Sequence, residues 1–170
     1  MDITLFVLTV VIIGAAIDVT TGLIPNWLTV AGAVGGISLH SASGGMSGFV
    51  GSITGLCVGM ALLLGFYACG GMGAGDVKLM GAVGSCLGPL GVIHAALATG
   101  ILGGMYALAV GCRHWGMLAT FRYIVTGCRT IVLTGGMFPG AISAASSRLL
   151  LRYGIAIALG TTLSLWWREP

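Results

Sequence analysis

The 170 residues are expected to form an all-α, polytopic membrane helix bundle: one domain of about six transmembrane helices, with an amphipathic helix at the cytoplasmic interface. Three observations carry that expectation. Hydrophobic residues make up 57% of the chain and charged residues only 6%, with a mean hydropathy of +1.08. A soluble domain is typically about 25% charged, so this chain cannot cover a water-facing surface. Its apolar residues run in long blocks, and its basic residues gather between those blocks rather than spreading along the chain.

The blocks place candidate spans at 3–17, 27–43, 48–69, 77–93, 94–111 and 152–167. Several are shorter than the ~20 residues that cross a bilayer straight. The first begins almost at Met1 with no basic stretch before it, so it is expected to remain as a helix and not to be removed as a signal peptide. The fourth is interrupted by GPLG at 88–91, where Pro89 breaks or kinks a helix. Between 112 and 150 lie Arg113, Arg122, Arg129 and Arg148, with Arg152 just beyond. Trp115, Leu118, Phe121 and Val125 recur beside them at helical spacing, the pattern of a helix lying in the interface, where Arg113, Arg122 and Arg129 meet lipid phosphates. A seventh span is the alternative, and Arg122 in the middle of 115–128 argues against it. The 31 glycines are read as packing residues that let helices approach closely. Cys57, Cys69, Cys86, Cys112 and Cys128 show no CxxC pair and are read as small apolar helix residues.

Orientation follows from the basic residues. With the N-terminus outside, the connections near 18–26, 70–76 and 112–150 are cytoplasmic. Lys78 and the five arginines from 113 to 152 then lie inside, with only Arg168 outside. The net charge of +3 matters by this placement; no nucleic-acid partner is expected. The same orientation puts Asp18 and Asp76 at one membrane face.

Those two residues carry the chemistry. Of four acids, Asp2 and Glu169 are terminal and solvated. Asp18 and Asp76 each stand at the edge of an apolar helix, where a carboxylate is expensive: roughly 2.5–3.5 kcal/mol when central. Two aspartates that share a proton activate water and protonate a leaving amine, and such a pair titrates as a unit. It hydrolyses a peptide bond without metal, cofactor or nucleophilic serine. His40, His94 and His114 lack metal-ligand spacing and are read as loop or interfacial residues. Gly73 and Gly75 leave no side chain between the backbone and an approaching extended peptide. Asp76 then opens a helix, whose N-terminal dipole favours an anion. Lys78 faces elsewhere on that helix and is read as an anchor reaching the cytoplasmic surface, against direct tuning of the pair.

GMGAGDVKLMGAVG at 71–84 resembles the GxGD segment of the type IV prepilin peptidases, which are membrane aspartyl proteases. AAIDVTTGLIPNWLT at 15–29 resembles that family's first site, an Asp followed by a Pro-Asn or Pro-Asp turn and Leu-Thr. RYGIAIALG at 152–160 resembles the final-helix pattern PYGxAIAxG, with Arg152 in place of the usual Pro. The resemblance implies that Asp18 and Asp76 are the catalytic pair. It also implies that Gly73 and Gly75 are the GxGD glycines and that Pro25 and Asn26 shape the turn after the first catalytic helix. These four and Lys78 are expected to be the substrate-binding residues. The implied substrate is a prepilin whose short basic leader is removed at the cytoplasmic face of the inner membrane. Larger members carry a cytoplasmic region with paired CxxC motifs and methylate the new N-terminus. This chain has no CxxC pair and looks like the short, peptidase-only form that serves tight-adherence (Flp) pili.

Two other classes compete. A small transporter subunit would use Asp18 and Asp76 to bind a cation or relay protons, and Gly-interrupted helices suit it too. An assembly subunit that only packs helices leaves the paired acids unexplained.

Overall fold

The computed structural model describes residues 2–68, 72–117, 122, 125–126 and 153–167. Among these the secondary structure is helical, in four elements: α1 (Ile3–Thr21), α2 (Asn26–Ala68), α3 (Ala74–Trp115) and α4 (Tyr153–Trp166). The first three are long and apolar enough to cross a membrane; α4 is apolar but has 14 residues. The amphipathic helix expected between 112 and 150 lies largely outside the described residues.

Neither α2 nor α3 is one straight rod. Gly45 (φ 56°, ψ −136°) breaks α2, and Gly88 (φ 71°, ψ 179°) breaks α3. Both lie in regions of φ/ψ that a Cβ makes costly, so glycine is what permits the breaks. The neighbours show how sharp they are. Gly36 packs on Ser85 and Cys86, while Gly55, on the other side of Gly45, packs on Gly84 and Gly88. The chain therefore folds back at Gly45 and lays both halves of α2 along the same stretch of α3. Gly59 likewise touches both Met80 and Val92, which brings the residues flanking Gly88 together. The boundary expected between 93 and 94 is no break at all. The chain turns at Gly88 instead, because Val92–Ala96 are ordinary helix residues whereas Gly88 and Pro89 together cannot continue one.

Pro89 has no N–H, which leaves the carbonyl of Ser85, four residues earlier, without its helical donor. In hydrocarbon such a group must be satisfied internally. The Ser52 hydroxyl, from the second half of α2, donates to it at 2.6 Å, and Ser52 is fully buried. The break in one helix is thus sealed by another.

Small residues hold the bundle together, and large apolar ones face outwards. Gly32, Gly36, Gly55, Gly59 and Gly84 each sit at an inter-helix contact too close for a side chain. Val7, Val11, Leu79, Met80, Val83, Val92 and Ile157 fill the remaining interior. Leu5, Ile12, Val30, Val34, Leu64, Phe66, Leu97 and Ile101 are exposed on the outside. A water-soluble protein rarely exposes so much apolar surface, whereas a lipid-facing one requires it.

Candidate active site

Asp18 lies in the last turn of α1, one turn further into the helix than the connection expected to begin there. That helix stops at Gly22 (φ 70°, ψ 11°), whose N–H donates to the Asp18 carbonyl at 2.9 Å. The segment Gly22–Pro25 then leads directly into α2, which starts at Asn26. Asp76 is in the first turn of α3, three residues after the cap residue Gly73. The Gly73 N–H donates to Asp76 Oδ2 at 3.1 Å, and the Asp76 N–H donates back to the Gly73 carbonyl at 3.2 Å. A reciprocal cap of this kind satisfies donors that a helix start otherwise leaves open, and its dipole favours the carboxylate.

Both aspartates are buried, at 6% and 7% exposure. They line one cavity of about 610 Å³, and Gly73, Gly75, Pro25, Asn26 and Lys78 line it as well. All seven residues singled out from the sequence therefore share one hollow, closed further by Ile17, Thr21, Leu23 and Ile24. The Lys78 ammonium donates to Asn26 Oδ1 at 2.8 Å, tying α3 to the start of α2.

Two details go beyond the sequence reading. A Cβ on Gly75 would stand 3.0 Å from the Ile24 Cβ, so Gly75 is small because the segment after α1 packs on it. Gly73 is exposed, and its missing side chain faces the Asp76 carboxylate and the Gly75 nitrogen. Of the two glycines, it is Gly73 whose backbone stands exposed. Sequence reasoning also passed over Gly154. Its N–H, from the first turn of α4, donates to Asp18 Oδ2 at 3.0 Å across 136 residues. The pattern RYGIAIALG pointed to this helix, and nothing in it pointed to the partner.

A sequence model of the type IV leader peptidase family matches residues 5–108. The chain belongs to that family. The matched span holds nearly all of α1, the whole of α2 and most of α3, including both aspartates and the cavity between them; α4 lies outside it. Membership implies a peptidase of the leader-processing kind, and its apolar helices make it an integral membrane protein. Neither the curated proteins nor the solved structures gave a match.

Proposed function

We propose that this chain is a membrane-embedded aspartyl endopeptidase that removes the short basic leader of type IV-like prepilins, those of tight-adherence pili in particular. Asp18 and Asp76 are its catalytic pair. The observation that carries the reading is the shared cavity: two buried carboxylates from opposite ends of two helices, with no cation bonded to either among the described residues. Each accepts one backbone N–H through Oδ2. Among the described residues each Oδ1 is left for water and substrate.

One carboxylate takes a proton from water, and the resulting hydroxide adds to the carbonyl carbon of the scissile bond. The other carboxyl donates its proton to the carbonyl oxygen. The tetrahedral adduct then collapses: the C–N bond breaks, the leaving nitrogen takes up a proton from the pair, and a hydroxyl of the adduct gives its proton back to the pair as the new carboxyl group forms, which restores the starting state. Lys78 and Asn26 stand at the cavity wall as the join between α2 and α3, and Pro25 directs the chain into α2. The test is cleavage of a prepilin in vesicles by the purified protein. Chelators and serine reagents are expected to leave the rate unchanged.

With breaks at Gly45 and Gly88, α1, the two halves of α2, the two halves of α3 and α4 make six spans, with the N-terminus outside. The site then opens to the cytoplasmic face of the inner membrane, where a basic leader is held by anionic lipid while its apolar helix stays in the bilayer. A reporter fused after residue 44 is expected outside and one fused after residue 130 inside. Residue 130 outside overturns the arrangement.

The chain contains no CxxC pair, so the pilin it releases should keep an unmodified N-terminus. Mass spectrometry of product made with the purified chain checks this. A methylated product contradicts the peptidase-only reading.

A further inference from the structure

The two carboxylates are held in the same chemical way and by very different routes. Asp76 takes its N–H from Gly73, three residues away in its own helix cap. Asp18 takes its N–H from Gly154, in another helix 136 residues on. Gly154 is the second residue of α4, where backbone N–H groups have no partner within the helix. We infer that Gly154 is a positioning residue for Asp18, and that docking of α4 is what completes the site. This rests on the reading of Asp18 as catalytic.

The packing around Gly154 supports a dedicated approach. A Cβ there would lie 2.8 Å from Asp18 Oδ2, 2.9 Å from its Cβ and 3.1 Å from its Cγ. Any side chain would push the N–H away from the carboxylate, so glycine is needed for the backbone to donate. Gly154 and Asp18 are both buried, and so is the hydrogen bond between them.

The height of α4 is set elsewhere, by two close contacts with the second half of α3. Gly160 rests against Thr99, where a Cβ would come to 2.6 Å from the Thr99 nitrogen. One turn closer to the site, the Tyr153 ring lies over Gly103, whose Cβ would meet it at 2.9 Å. Thr99 and Gly103 are four residues apart and so share one face of α3. Gly160 on α4 and Gly103 on α3 are the two notches that index α4 along α3 and bring Gly154 to Asp18. A slip of α4 would move the donor of Asp18 and leave that of Asp76 in place.

The experiment replaces Gly154 by glycolic acid in the full-length protein, turning the amide into an ester. The N–H is deleted and no atom is added to crowd Asp18. An ester at Ala158, within the helix, controls for the altered backbone. Cleavage of a prepilin in vesicles is followed as kcat and KM. A hydrogen bond to a charged group is worth enough to expect a fall in kcat of about tenfold to a hundredfold, with KM unchanged. Gly103→Leu should also lower kcat, although no residue of the cavity is altered, because it fills the notch under Tyr153. Unchanged kcat in the ester variant, or a fall equal to that of the Ala158 ester, overturns the inference. So does a rise in KM alone. Asp18→Asn assayed alongside separates the two readings: normal cleavage by that variant removes the catalytic role of Asp18 itself, whatever the ester shows.

Discussion

Protein carrying Asp76→Asn, or Asp18→Asn, is expected to insert and fold normally and to leave prepilin uncleaved. The amide matches the carboxylate in size, so the packing of these buried positions survives. Its oxygen still accepts the N–H of Gly73 or Gly154, so both caps hold. What is lost is proton transfer, since an amide neither takes a proton from water nor returns one to the leaving nitrogen. Each single change should cost about as much as both together, because the two groups act as one unit. Glutamate at either position restores the acid and moves it by on the order of 1 Å, for an expected loss of about a hundredfold. Asp2→Asn and Glu169→Gln should be silent. Single-turnover cleavage in vesicles, with insertion checked by protease accessibility, gives the measurement. A normal rate for Asp76→Asn would falsify the aspartyl mechanism and favour the ion-binding alternative.

The second large effect is expected at Gly55 and Gly84. A Cβ on Gly55 would strike the carbonyl of Gly84, and one on Gly84 would strike the carbonyl of Gly55. The obstacle in both directions is backbone, which cannot rotate aside as a side chain can. Gly55→Val or Gly84→Val must therefore part the second half of α2 from α3. The parting also opens the Ser52–Ser85 hydrogen bond that seals the break at Pro89. Overpacking of ordinary cores costs about 1–3 kcal/mol, and a backbone obstacle should cost at least the upper end of that range. Folded proteins have only about 5–15 kcal/mol to lose. Little monodisperse protein should survive extraction, and its unfolding midpoint should fall sharply. Gly100→Ala is the control: nothing lies within 4 Å of its Cβ direction, and alanine should stabilise the helix by about 0.5–1 kcal/mol. Full activity in Gly55→Val would show that the two helices are not held by this contact.

Much of the site was legible because it is local. Asp76 and Gly73 are three residues apart, and a helix start after GMG makes their cap a matter of short-range geometry. The turn at Gly22–Pro25 follows from a left-handed glycine and a proline in one connection. The membrane class needed only composition, since lipid rewards apolar surface wherever it lies. The breaks were half legible. GPLG announced one, but the apolar run continues past it, and hydropathy has no means of marking a turn made within apolar residues. The boundary was accordingly expected at 93, five residues beyond Gly88.

By itself, then, the sequence determined the class of the fold, the two carboxylates worth considering and the glycines and proline beside them. Tertiary structure alone decided what meets what. That Gly55 lies on Gly84, that Ser52 answers the carbonyl Pro89 leaves open, that Ile24 covers Gly75 and that Gly154 holds Asp18 all depend on helices far apart in the chain being brought into register. In a bundle built from glycine the reason is physical. A missing side chain records that something comes close, and only the packed helices say which atom it is.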